Sequence, residues 1–491
     1  MEIAWIALPG PSPYAAIYGE KAAFLATAHH SGANVPPGFV LPPGFDGEIT
    51  PALARLEEAT GRRLGAESDP LLLSIRPASM MRAGGMAPAI LNIGVTSKTL
   101  PGLIARYGER TARDLHRRLI QAFGATVLGV EGEEFEYALH DALRFSGHDS
   151  ETQLDAGELT ELAETCLALI AEAGTDPFPD DAHAQLEGAI RALPRLWDGR
   201  RAIVRRQAMG TPDASLSVIV QAMALGLGPN TCGAGFVQLR DEETGAQRLT
   251  GRYLAQAQGE DALMGLRTPQ VITAEERERL GLSKPSLEET APHVIPELAR
   301  IGAAMEAAIG DAVSLEFTVA ESDLHILEVR RARRSARAAI QIVVDLAEAG
   351  AIDRRTALMR VDPSHLEEQL HPAIDRSAPR DLLGSGLPAS PGAVSGPLAF
   401  TPDAAELAAQ RNGSAILVLT ETGPEDIRGM HAARGVLTVR GGMTSHAAVV
   451  ARGLGKPCVV GARCLELDPV ARTLRASDGR VFREGDVLTV D

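Results

Sequence analysis

The residues most able to do chemistry lie near the end of the chain, in Gly441-Gly442-Met443-Thr444-Ser445-His446-Ala447-Ala448-Val449-Val450-Ala451-Arg452. One imidazole follows two glycines and two hydroxyl side chains, and it opens an apolar helical pattern. A helix N-terminus presents unpaired N–H groups and a partial positive charge, a setting that suits a phosphate. Histidine at such a place can carry a phosphoryl group instead of shuttling a proton. Gly441 and Gly442 allow close backbone approach, and Thr444 or Ser445 can cap the helix and reach a phosphate oxygen. A lone histidine is most often structural or merely exposed. The donors and glycines around His446 shift the reading to phosphohistidine, and so to a phosphotransferase.

The elements that must position this loop follow from the hydrophobic pattern. AILVLT and GVLTVR read as short buried strands, and helical spacing recurs at 425–432 and 445–453. This stretch, 387–491, forms a separate unit behind a polar, Pro- and Gly-bearing break at 379–386, and 335–372 is Ala-rich and helical in pattern. Further upstream, Leu71–Ile75 reads as a buried strand running into a loop that holds Arg76 and Arg82. Leu115, Leu119, Ile120 and Phe123 have helical spacing within 112–123, and 131–200 reads as an acidic helical insertion broken at Asp176-Pro177-Phe178-Pro179. Residues 201–330 read as strand-rich: AIVRRQ, SLSVIVQAMAL and GAGFVQLR, then SLEFTVA and LHILEVR joined as a hairpin through Glu321-Ser322-Asp323. The pattern predicts a mixed α/β (α+β) protein.

Composition narrows the class. The chain has 491 residues, 45% hydrophobic and 23% charged, as in ordinary globular proteins with about three domains. A net charge of −16 argues against nonspecific nucleic-acid or anionic-membrane binding, and 4% aromatic content against base-stacking platforms. Four cysteines without a CxxC pair fit reduced thiols. The N-terminus has no secretory pattern and the chain no membrane-length apolar run, so the expectation is a cytoplasmic enzyme.

GGMTSHAAVVARGLGKPCVVG closely resembles the swivelling phosphohistidine domain of pyruvate phosphate dikinases, and more loosely those of enzyme I of the sugar phosphotransferase system and phosphoenolpyruvate synthase. ETGPEDIRGMHAARGVLTVRGG and LPASPGAVSGPLAF share that resemblance, and TARDLHRRLIQAFGATVLGV, SVIVQAMALG, LAQAQGEDALMGLRTP and LEFTVAESDLHILEVRRARRSA resemble the family's nucleotide-binding domain. The resemblance implies an ATP-grasp-like nucleotide-binding domain over 1–334 with the helical insertion at 131–200, a helical linker or hinge at 335–386, and a β/β/α swivelling domain over 387–491. It implies ATP and Mg2+ as cofactors and His446 as the phosphorylated residue. It places Lys21, Arg76 and Arg330 on ATP phosphates, Glu316 on the family's strand glutamate, and Thr444 where some relatives carry a regulatory phosphorylation site. Cations spread the triphosphate charge, Arg in bidentate fashion and Lys as a point charge, and Mg2+ takes one or two carboxylates plus phosphate oxygens.

The chain also departs from the family. Pro77 and Ala78 replace a Ser-Gly pair, Ala87-Pro88-Ala89 replaces Met-Asp-Thr, and Leu239-Arg240-Asp241 replaces Arg-Asn-Pro. Arg252 replaces a glutamate, and Glu328 a glutamine; Glu328 offers Mg2+ a second carboxylate and Arg252 offers another phosphate contact, or the set marks a weakened ATP site. Nothing here resembles the family's pyruvate-binding barrel. The expected activity is autophosphorylation on His446 from ATP, with transfer to a separate acceptor subunit or small-molecule acceptor. The alternatives are a degenerate nucleotide-binding or regulatory module, or a phosphocarrier loaded by a partner. Cys458 reads as core packing, the Arg330–Arg334 cluster as either phosphate steering or a solvated patch, and His29-His30 as an exposed pair.

Overall fold

The computed structural model describes residues 2–78, 89–208, 215–228, 231–258, 268–375, 378–413, 415–443 and 445–491. The chain forms two compact units, Met1–Asp353 and Arg354–Asp491.

The first unit holds two five-stranded sheets. Strands β1 (Ala4–Ile6), β2 (Gly38–Leu41), β3 (Leu73–Pro77), β4 (Ile90–Ile93) and β5 (Val218–Ala222) make one, in the order β1-β2-β5-β3-β4. The other comprises β6 (Gly233–Arg240), β7 (Gln247–Ala255), β8 (Gln270–Val271), β9 (Val313–Ala320) and β10 (Asp323–Arg331), in the order β10-β9-β6-β7-β8. Every neighbouring pair in both sheets is antiparallel. Period-two alternation explains β9: Val313, Leu315, Phe317 and Val319 are buried in one core cluster, so Ser314, Glu316 and Thr318 point to the other face. The hairpin to β10 is tighter than its sequence suggests. Asp323 already pairs with Ala320, leaving Glu321 and Ser322 as a two-residue turn with φ of 53° and 77°, the positive angles that a type I′ connection needs.

Helix α1 (Glu20–His30) lies over β10, and α2 (Glu109–Phe123) buries Leu115, Leu119, Ile120 and Phe123 as their spacing requires. The acidic stretch after it is helical: α3 (Gly132–Ser146) and α4 (Ala156–Glu172) enclose a satellite core around Phe135, Leu159 and Cys166. Helix α5 (Ala182–Trp197) instead puts Leu186, Ala189 and Leu193 into the main core with the first sheet, so this part of the insertion is integral to the fold. AIVRRQ is helical, not a strand. It lies within the helix Arg200–Ala208, where Ala202 and Arg206 share the buried face four residues apart, and the Arg206 guanidinium sits 4.6 Å from the Trp197 ring centroid.

Helix α6 (Val294–Ile309) backs the second sheet. Helix α7 (Ala336–Glu348) packs Ala338, Ile342 and Leu346 on Ala312 and Ala332. That apolar seam ties 336–348 to the first unit, which runs to Asp353.

In the second unit, β11 (Leu387–Ser390), β12 (Val394–Ala399), β13 (Ile416–Leu419), β14 (Gly435–Thr438), β15 (Cys458–Val460) and β19 (Val487–Val490) form a sheet in the order β11-β15-β14-β13-β12-β19. Its four central strands are parallel and its two edges antiparallel. Parallel strands are buried on both faces and read as continuous apolar runs, as ILVL and GVLT do. One face carries α8 (Pro402–Asn412), α9 (Ile427–Ala432) and α10 (His446–Leu454), with Leu417, Met430, Val436, Ala447 and Ala451 in the shared core. The other face packs Ile416, Val418 and Leu437 on the small sheet of β16 (Leu465–Asp468), β17 (Thr473–Ala476) and β18 (Val481–Arg483). This is a β/β/α layering. Cys458 lies in its core, and burial pushes its thiol up to about 11. Among the described residues no helix is long and apolar enough to cross a membrane.

Separate cores predict separable stabilities. Phe317→Ala in the first unit should remove about 3–5 kcal/mol from one calorimetric transition, and Leu417→Ala about 2–5 kcal/mol from another. A single transition lowered equally by both would refute independent cores.

Candidate functional site

A cavity of about 280 Å3 in the first unit is lined from both sheets and from α1. Lys21, Arg76, Glu316, Glu328 and Arg330, far apart in sequence, all line it. Lys21 comes from the first turn of α1, entered through Gly19 at φ 87°. Arg76 stands near the end of β3 between Ile75 and Pro77. The two glutamates and Arg330 come from the β9–β10 hairpin.

A β-bulge makes the last group possible. Ile326 pairs with Phe317, but Glu328 pairs with Glu316, so Leu327 is an extra residue in β10. Strict alternation would return Glu328 to the core face of Ile326. The bulge shifts it to the face of Glu316, directly opposite that carboxylate, and Arg330 follows two residues on. The displaced Leu327 carbonyl accepts a hydrogen bond from Arg76 Nη2 at 2.9 Å.

Facing like charges on adjacent strands are unfavourable, and neighbouring cations offset them. Lys21 Nζ lies 3.1 Å from Glu328 Oε2, and Arg330 Nη1 lies 3.2 Å from Glu316 Oε1. Burial, then the facing Glu328 charge, push Glu316 up to about 7 against the pull of Arg330, Lys21 and Arg76. Burial alone would raise Glu328 too, but Lys21, Arg76 and Arg330 outweigh it and hold that carboxyl below its ordinary range. Arg76 also donates to Gln221 Oε1, while its buried Nε finds no partner among the described residues.

Other lining groups carried no sequence signal of their own. Gln221 is one: its amide donates to Pro36 O at 2.7 Å, which fixes the carbonyl oxygen that Arg76 meets. Gln258 is another, donating through Nε2 to Asn92 Oδ1 at 2.8 Å. Asn92 is buried with φ 63°, a left-handed conformation that asparagine tolerates better than most residues. Met223, Ala224 and Leu225 extend the wall as an apolar stretch.

The sequence departures distribute unevenly. Glu328 enters the cavity and Pro77 lines it. Arg252 does not line it, lying instead 3.1 Å from Glu276 Oε1. Arg240 is buried against Glu306 and Asp345, and Asp241 caps the turn at Thr244, so these substitutions serve packing. Ala87 and Pro88 lie outside the described residues, whereas Ala89 lines the cavity. In the basic run at the end of β10, Arg331 pairs with Asp311 and Glu20, and Arg334 with Asp311.

His446 opens α10 in the second unit. Ser445 is the N-cap, and its Oγ accepts from Ala448 N at 3.4 Å. The ring is half-exposed, and its Nδ1 lies 3.1 Å from Thr422 Oγ1. With Nδ1–H donating to that hydroxyl, Nε2 keeps its lone pair as the nucleophile. The quoted ETGPEDI stretch contains Thr422 but gives no local sign that its hydroxyl meets a ring 24 residues away. Gly441 has φ 120°, which L side chains rarely adopt, and a Cβ at Gly442 would meet open space. Arg452 holds the loop through Met443 O at 2.8 Å and Ala389 O at 3.1 Å. Thr444 lies outside the described residues.

Comparisons with known proteins cover both units of the chain. The PEP-utilising enzyme mobile domain matches residues 412–491. The chain is 41% identical over 490 residues to a pyruvate, phosphate dikinase of Rhizobium meliloti (strain 1021), covering 96% of this chain and 54% of the relative. Pyruvate, phosphate dikinase 2 of Zea mays is 37% identical over 493 residues, covering 97% and 54%, and the Clostridium symbiosum enzyme is 39% identical over 449 residues, covering 90% and 50%. The chain thus spans about half the length of these relatives.

The facing carboxylates make a pH prediction. The raised Glu316 stabilises the fold fully below its ordinary value of about 4.5, and that contribution is lost as pH rises through about 7. In metal-free buffer, Glu316→Gln should therefore gain on the wild type in urea midpoint between those pH values. A constant difference would mean that Glu316 titrates normally.

Proposed function

We infer ATP-driven phosphoryl transfer onto His446 for this chain, which belongs to the pyruvate, phosphate dikinase family. The observation that carries the reading is the convergence of Lys21, Arg76 and Arg330 with Glu316 and Glu328 in one cavity. Two antiparallel sheets around such a cavity suit an ATP-grasp-like domain. The cations would hold the phosphates, and the apolar wall of Met223, Ala224 and Leu225 would face the less polar part of the nucleotide.

Magnesium fits the donor set. Glu316 and Glu328 set two carboxylates opposite each other, as the ion requires, and phosphate oxygens with water would complete the ligands. Glu316 and Glu328 would hold the ion, which when bound neutralises phosphate charge. Positioning and charge neutralisation supply most of the catalysis of phosphoryl transfer.

In the transfer itself, His446 Nε2 attacks the β-phosphorus of ATP, and the bond to the oxygen that leaves with AMP breaks. Nδ1–H stays on Thr422 throughout, so no proton has to leave the ring. The ring then carries the β,γ-pyrophosphoryl group; its terminal phosphoryl would leave to inorganic phosphate or water, and the half-exposed imidazole would pass the remaining β-phosphoryl to an acceptor on a separate subunit or to a small molecule.

Incubation with Mg2+ and β-labelled ATP should give acid-labile protein label and one AMP per label, and His446→Ala should abolish both. Thr422→Val should slow labelling about tenfold or more without moving the site, because ring orientation and tautomer are lost. Tight nucleotide binding with no label would sink the transferase reading in favour of a binding module.

A further inference from the structure

Among the described residues, the three cations lining the cavity are unequally available to a ligand. Arg76 donates to neutral acceptors, Gln221 Oε1 and the Leu327 carbonyl. Lys21 and Arg330 are each held by a carboxylate, at 3.1 and 3.2 Å. Those carboxylates are nearly buried, with the side chains of Glu328 and Glu316 9% and 13% exposed. Taking a cation away from such a pair leaves an uncompensated buried charge, which is strongly unfavourable. A metal-free polyphosphate that drew Lys21 to itself would also set its own negative charge beside the abandoned Glu328.

We propose that Glu328 and Glu316 stand in for phosphate in the empty cavity, locking Lys21 and Arg330 until a divalent cation takes over the carboxylates, so that nucleotide and metal bind synergistically. The proposal rests on the nucleotide reading above and adds a coupling to it. Glu328 is the key element, because the bulge at Leu327 is what brings it opposite Glu316 and within reach of Lys21. With a neutral residue there, Lys21 would be free for phosphate without metal. Synergy is reciprocal: the factor by which metal tightens nucleotide equals the factor by which nucleotide tightens metal.

The test is calorimetric titration of the full chain with α,β-methylene-ATP, whose bond to the AMP moiety cannot be cleaved, in chelator and in saturating Mg2+. Wild type should bind the analogue about tenfold or more tighter with Mg2+. Glu328→Gln should bind the metal-free analogue about tenfold tighter than wild type, with the Mg2+ gain reduced to about threefold or less. A second measurement needs no variant: the factor by which the analogue tightens Mn2+ binding to wild type should equal the factor by which Mn2+ tightens the analogue. Unchanged metal-free affinity in Glu328→Gln with the full Mg2+ gain retained would overturn the lock while leaving the nucleotide site standing. So would a wild-type Mn2+ affinity indifferent to the analogue. No binding of the analogue even with Mg2+ would overturn the nucleotide site and the lock together.

Discussion

One extra residue in β10 governs the chemistry of the first unit. Without the bulge at Leu327, Glu328 would turn toward the apolar cluster that holds Ile326 and Val329, where an ionised carboxylate is untenable. With it, the same side chain joins Glu316, Lys21 and Arg330, and the freed carbonyl steadies Arg76. The rest of the sheet serves this placement. Phe317 and Leu315 anchor β9 from below, and α1 must lie over β10 for Lys21 to meet its partner.

The second unit solves a different problem, which is to present one ring on a rigid base while leaving it accessible. Ala447, Ala448 and Ala451 let α10 settle closely on the parallel sheet. The Ser445 cap and the Arg452 bonds fix the turn before it. Gly461 adds a close approach, since a Cβ there would lie 2.7 Å from the Gly441 carbonyl. Rigidity therefore comes from small residues and backbone bonds, and nothing bulky is needed near the imidazole.

Much of this was legible in the residues. SLEFTVA read as a strand and the family resemblance singled out Glu316 on it, helical spacing found α2, and the glycine-flanked histidine marked its own loop. What stayed hidden depends on register and three-dimensional partnership. A bulge has no local signature, so the face of Glu328 could not be read from spacing. Thr422 reaches His446 only because β13 and β14 run parallel and bring the loops at their ends together. AIVRRQ misled because its β-branched pair suggests a strand, whereas burial of Ala202 and stacking of Arg206 on Trp197 favour a helix. The boundary at 353 was obscured because an Ala-rich helix reads alike whether it bridges units or packs within one.

The two units place opposite electrostatic demands on histidine chemistry. Pairing Lys21 and Arg330 with nearly buried carboxylates avoids the penalty of unpaired buried charge in the ligand-free cavity. On the lock proposed above, the same pairing disfavours a bare polyanion and favours a metal-bearing ligand. The histidine loop makes the reverse choice. Its ring is engaged at Nδ1 by a neutral hydroxyl, so no countercharge has to be displaced when phosphate arrives. On the proposed transfer, the cavity would exchange ion pairs as its ligand changes, whereas the ring would keep its hydrogen bond to Thr422.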